Sequence, residues 1–304
     1  MMNPLARFVL PAALLLAGAN ALAQDIEPRA YSNAPIGVNF LVVGYARTDG
    51  GLASDGSLPL TNIDLRTDSA VLGLAHVFAL GGQSAKIDVI APYTDLSGSA
   101  KNNGVPIERN VTGFADPKIR LSMNFIGAPA VDMKQFASYR QDLIVGGSLQ
   151  IGLPLGQYSD TRLVNIGSNR WSIRPELGVS KTRERWTLEL ATGATFYTDN
   201  DDFYGGKRRE QRPIYSTQGH LIYNFQNGWW LSLDATYFEG GTTTIDGLEK
   251  HDLQQNWRGG VTAAIPIDRK NSVKLYASNG VAARTGNEFD LFGVAWQYRW
   301  GGGL

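Results

Sequence analysis

The chain has 304 residues, with 28 basic and 28 acidic side chains and no cysteine. Balanced charge leaves no basic excess to hold phosphates, which argues against a nucleic-acid partner. Without cysteine there is no disulfide framework, no lipid-modified cysteine and no thiolate chemistry.

At the N-terminus, Arg7 supplies a positive charge, Phe8 to Ala19 is apolar, and Ala21-Leu22-Ala23 is a small-x-small site before Gln24. This predicts a secretory signal peptide over residues 1–23 and a mature domain over residues 24–304. The apolar run falls short of the ~20 residues a spanning helix needs, and Pro11 interrupts it. The mean hydropathy of −0.17 would suit a soluble protein. It equally suits a transmembrane barrel, in which only alternate residues meet lipid.

From there the chain alternates between bulky and polar residues with a period of two, the signature of strands. Six strands are predicted over 37–48, 63–80, 85–96, 113–127, 139–153 and 170–181. Six more follow over 185–198, 214–225, 229–240, 255–267, 272–284 and 289–300. Short turns at Gly81-Gly82-Gln83, Thr182-Arg183-Glu184, Gln226-Asn227-Gly228 and Asp268 to Asn271 alternate with longer polar connections over 49–62, 97–112, 154–169, 199–213 and 241–254. Connections sorted in this way predict an all-β, antiparallel up-and-down barrel of about twelve strands in the bacterial outer membrane, with periplasmic turns and external loops. Two connections break the pattern: residues 128–138 are long where a short turn is due, and residues 285–288 are short where a loop is due.

Alternation then assigns the faces. Trp171, Ile173, Leu177 and Val179 would meet lipid, as would Trp186, Leu188, Leu190 and Phe196, and Leu231, Leu233 and Tyr237. The inward set includes Lys86, Lys118, Arg120, Arg170, Arg174, Arg185, Arg258 and Lys274, against Asp88, Glu176, Glu189 and Asp234. A charge on the lipid face at mid-membrane costs about 2–4 kcal/mol, which enforces the partition. In the first two strands both faces are apolar, which fits a plug, a neighbouring subunit or a greasy section of lumen.

Several motifs resemble one family along nearly all the mature chain. They are Gly113-Phe114-Ala115-Asp116-Pro117, Leu153-Pro154-Leu155-Gly156-Gln157-Tyr158, and Trp171 with Pro175. Thr198-Asp199-Asn200-Asp201-Asp202-Phe203, Tyr223-Asn224-Phe225 with Gly228-Trp229, and Leu233 to Gly241 follow. Arg284-Thr285-Gly286 and Trp296-Gln297-Tyr298-Arg299-Trp300 complete the series. In this order they resemble the outer-membrane proteins named for the meta-pathway of phenol degradation. The resemblance implies a transporter-like barrel embedded in lipid and lipopolysaccharide, inserted by the barrel-assembly machinery. Ala115 departs from a usual glycine, and Gly301-Gly302-Gly303-Leu304 extends past the terminal aromatic.

Enzymatic readings are weaker. Outer-membrane lipases need His and Ser two residues apart on one face, but His76, His220 and His251 are followed at that spacing by Phe78, Ile222 and Leu253. A rim protease would draw on His251-Asp252 and the 199–202 acids, which equally suit solvated turns. Those acids also offer oxygen ligands for a divalent cation, though no glycine-spaced calcium loop follows. Lys207-Arg208-Arg209 could meet lipopolysaccharide phosphates or simply be solvated.

The inward residues Lys118, Arg120, Arg170, Arg174, Glu176, Arg185, Glu189, Asp234 and Arg258 carry the remaining signal, as candidates for setting solute selectivity. The expectation is passive uptake of small hydrophobic or aromatic compounds with no cofactor, and with no energy coupling because no glycine-rich run ends in Gly-Lys-Ser/Thr. The alternative is a non-transporting barrel whose paired charges brace the wall. The stretch ahead of the first strand is expected to be too short to fill a lumen.

Overall fold

The computed structural model describes residues 27–53, 60–102, 104–283 and 286–304. Strands β1 (Val38–Ala53), β2 (Leu60–Leu80) and β3 (Gln83–Asn102) precede β4 (Val105–Phe114) and β5 (Lys118–Ile126). A helix, α1 (Met133–Ser138), leads to β6 (Leu143–Gly152), β7 (Ser172–Arg183) and β8 (Trp186–Tyr197). Short strands β9 (Asn200–Phe203) and β10 (Lys207–Gln211) separate β8 from β11 (Ile214–Asn224) and β12 (Trp230–Gly240). Then come β13 (Thr243–Ile245), β14 (Leu248–Glu249), β15 (Gln254–Pro266), β16 (Asn271–Ala283) and β17 (Gly286–Gly301).

β17 pairs antiparallel with β1, and β2 with both β1 and β3, so the sheet closes without an edge. β4 and β5 both pair with β3 and form one wall strand, broken at Ala115-Asp116-Pro117, where proline has no N–H for a ladder. The result is a closed antiparallel barrel of twelve strands. Val38 faces Gly301, so β1 begins and β17 ends at the barrel end that carries the short turns, the periplasmic end in barrels of this kind. At Gly81-Gly82 both residues take positive φ, 59° and 77°, as a two-residue hairpin of the primed type requires.

The far end departs from the sequence expectation. Residues 97–102 and 105–112, expected as loop, continue as the β3–β4 hairpin, with Ser97 opposite Asn110. Beyond the membrane both faces of a strand are wet, so the ladder persists while the hydrophobic alternation that would reveal it is lost. The expected loops 199–213 and 241–254 contain β9, β10, β13 and β14, which form a separate four-stranded sheet. At the near end, the long connection after β5 contains α1. There Gln135 N donates to Asp132 Oδ1 (2.8 Å) and Asp132 N to Gln135 Oε1 (3.1 Å), a reciprocal cap.

Ile173, Leu177, Leu188, Leu190, Leu231 and Leu233 all lie exposed on the outer face, while Arg174, Glu176, Thr187, Glu189, Ser232 and Asp234 are buried inside. An apolar outer face of this extent needs lipid as its solvent. Aromatic clusters mark its two margins: Trp186, Tyr223 and Phe225 with Trp296, Tyr298 and Trp300 near the short turns, and Tyr237 with Trp257 towards the loops. The doubly apolar first strands also resolve. Val43, Tyr45, Leu72 and Leu74 are exposed outside, whereas Phe40, Val42, Ala46, Val71 and Ala75 face inward. One side of the lumen is therefore apolar.

Candidate lumen site

Beginning beside that apolar wall and continuing around the barrel, polar side chains from β3 and β5 to β8 converge on the N-terminal segment, residues 27–36. Arg120 Nε is held by both carboxylate oxygens of Asp88, each at 3.2 Å, its directly paired neighbour across β3 and β5. Its Nη1 forms an ion pair with Glu27 of the segment. Lys86 Nζ approaches Asp88 at 3.6 Å. Two residues along, Arg29 donates its backbone N–H to Glu189 Oε2 (2.6 Å), places its guanidinium 5.0 Å from the Trp230 ring and bonds Asn224 Oδ1. The Tyr31 hydroxyl donates to Glu176 Oε1 at 2.9 Å. Its ring rests on the inward glycines 146 and 178, which are paired partners on β6 and β7. A Cβ on Gly178 would overlap Tyr31 Cε2, and one on Gly146 would lie 2.7 Å from Tyr31 Cδ1.

The segment thus lies within the lumen, which its length did not predict, with three residues seated on inward side chains of the wall. Between them remains a polar cavity of about 10 Å³, lined by Glu27, Arg120, Ser148, Gln150, Arg174, Glu176 and Gln218. That volume accommodates about one water molecule.

The predicted selectivity residues fall into distinct places. Arg174 Nη2 donates to Glu176 Oε2 (2.7 Å), and Glu176 also accepts from Gln218 Nε2 (3.1 Å). Glu189 accepts from Ser180 Oγ (2.9 Å) as well as from Arg29. Asp234 bridges His220 Nδ1 (2.8 Å) and Thr262 Oγ1 (2.8 Å). Arg258, 2% exposed, lies with Cζ 3.6 Å from the Phe289 ring centroid and donates to Ser278 Oγ (2.8 Å). Lys118 is buried on the inner face of β5. Arg170 stands nearer the loops, with Cζ 4.2 Å from the Tyr197 ring and a bond to Gln211. Arg185 is misplaced by the sequence reading. It is exposed beside the β7–β8 turn, where its Nη1 reaches the Tyr223 hydroxyl (3.3 Å). Alternation cannot be extended into a turn, where the backbone leaves the pleat.

The loop acids are taken up by structure. Arg208 pairs with Asp199 and, at 3.5 Å, with Asp201. Asp252 accepts from Thr243 N (2.9 Å) and Oγ1 (2.5 Å). Asp116, 3% exposed, accepts from Gly156 N (2.9 Å) and Ser168 N (2.8 Å), fastening the 153–170 loop over the barrel end.

The family described as "Putative MetA-pathway of phenol degradation" matches residues 48–298. The chain belongs to that family. Its fold is similar to that of an outer membrane channel from Pseudomonas putida F1, with a TM-score of 0.78 and 22% identity, covering 91% of this chain and 100% of that one. It is also similar to the transport unit of the autotransporter AIDA-I from Escherichia coli, with a TM-score of 0.53 and 11% identity over 90% of this chain and 93% of that one. No curated protein sequence matches the chain. As a member of the phenol-degradation family with this fold, the chain is a barrel of the bacterial outer membrane.

Sequence reading missed the family member's own N-terminal residues Glu27, Arg29 and Tyr31, and His220 beside Asp234. One signal was available for the first group. Gly178 interrupts an inward row of Arg174, Glu176 and Ser180, and a glycine inside a strand marks close approach by another part of the chain.

Proposed function

We propose that this barrel is an outer-membrane channel for the passive uptake of small hydrophobic or aromatic compounds. The observation that carries the reading is the divided lumen. Phe40, Val42, Ala46, Val71 and Ala75 present an apolar inner wall, beyond which the charged set of Arg120, Arg174, Glu176 and Glu189 continues around the barrel. A barrel braced only by its own ion pairs has no need of an apolar interior strip. A solute with an apolar body does, because such a wall replaces water without asking for hydrogen bonds. The family description, with its phenol-degradation pathway, supports aromatic compounds as the class. Selectivity is assigned to Arg120, Arg174 and Arg258 with Glu176, Glu189 and Asp234, and with Lys118 and Arg170 towards the loops. Movement follows the solute gradient.

The test combines planar-bilayer recording of the purified protein with growth of a deletion strain on dilute aromatic substrates. Measurable conductance together with slowed growth of the deletion strain is expected. An electrically silent protein whose loss changes the uptake of no solute would leave the non-transporting, wall-bracing role in its place.

A further inference from the structure

We propose that Arg120 forms a binding site for the carboxylate of an amphiphilic organic anion, and that Glu27 occupies this site as a tethered stand-in until such a ligand displaces it. The inference rests on the channel reading and narrows its solutes to aromatic or aliphatic monocarboxylates.

Three observations meet here. Arg120 is forked: its Nε edge is fixed by Asp88 on the neighbouring strand, and its Nη1 is turned inward to a carboxylate that belongs to no strand of the wall. A guanidinium held on one edge in this way offers the other to a second carboxylate in a fixed orientation. The carboxylate now there is Glu27, carried by a segment held at Arg29 and Tyr31 through side-chain and single backbone contacts rather than a strand ladder. One carboxylate can replace another without leaving Arg120 bare, whereas a neutral solute would strip it of a partner.

The adjoining cavity is itself incomplete. Arg174 Nε and Gln218 Oε1 are buried without a partner, in residues only 8% and 4% exposed. Both residues line the same polar space as Glu27 and Arg120. Arg174 Nε supplies a free donor to a carboxylate that enters as Glu27 withdraws, and Gln218 Oε1 an acceptor for a water that enters with it. The body of the ligand has its place close by. Asp88 is paired with Ala75, and Ala75 with Phe40, so the apolar wall begins one strand away from the cationic fork. The cationic fork on β5 thus stands between the polar cavity on one side and the apolar wall on the other, so a carboxylate held by Arg120 can lay its apolar body towards β2 and β1.

The experiment uses the mature protein in lipid nanodiscs, with benzoate and phenol as probes at pH 7 and calorimetric titration as the readout. Glu27→Gln keeps the shape of the segment and removes its charge. This variant is expected to bind benzoate about tenfold more tightly than the unaltered protein, with phenol affinity unchanged. Arg120→Gln combined with Glu27→Gln should lose the benzoate preference, and Arg120→Lys should restore part of it. Heat-modifiable migration verifies that each variant is folded, and Glu27 lies outside the strand ladders. Equal benzoate affinity with and without Glu27, or an equal gain for phenol, overturns the proposal. Bilayer recording in sodium benzoate separates the two readings: silence in every variant counts against the channel, while the titration alone decides the site.

Discussion

The Tyr31 hydroxyl donates to Glu176 at 2.9 Å along the inner wall, joining a residue ahead of the first strand to the middle of β7. The bond depends on Gly178 two residues further along β7, because only a missing side chain lets the Tyr31 ring lie flat against the wall.

Tyr31→Phe should therefore weaken the seat of the segment by about 1.5–3 kcal/mol, the usual worth of a hydrogen bond to a charged group. Gly178→Leu should expel the ring altogether. Both variants are expected to raise single-channel conductance, the second more than the first, with the barrel intact by gel migration. Conductance unchanged in Gly178→Leu would mean that the segment does not limit passage.

On the outer wall, Leu190 is exposed and its neighbour Glu189 is buried. Leu190→Arg should cost about 2–4 kcal/mol near mid-membrane and sharply reduce the folded fraction. Glu189→Arg should be tolerated far better in assembly, although it removes the acceptor for Arg29. Comparable folded yields would show that the register places these side chains on the wrong faces.

Asp234 is the shared acceptor for His220 and Thr262. Asp234→Ala leaves two buried donors without a partner, at about 1–3 kcal/mol for each. The midpoint of urea unfolding should fall accordingly, and Asp234→Asn should recover part of the loss. An unshifted midpoint in Asp234→Ala would mean that water replaces the carboxylate at no cost.

At the loop end, Asp116→Ala frees Gly156 N and Ser168 N together. The 153–170 loop should then become susceptible to protease added to intact cells, while the barrel below stays folded. Protection equal to that of the unaltered protein would place the fastening of this loop elsewhere.

The sequence by itself determined the barrel, because lipid on one face and a polar interior on the other impose strict alternation on every spanning strand. Leu188-Glu189-Leu190 and Leu231-Ser232-Leu233 announce their faces residue by residue. The same rule brought Arg120, Arg174, Glu176 and Asp234 inside, and it failed at Arg185, where a turn ends the pleat. It said nothing of β9, β10, β13 and β14, since strands of two to five residues are too short to show a period. Tertiary structure alone decided which inward groups meet. The Asp88–Arg120 and Glu189–His220 pairings follow from strand register. The contacts of Glu27 and Tyr31 join a non-repeating segment to strands 93 and 145 residues away, and no local pattern encodes an approach of that kind.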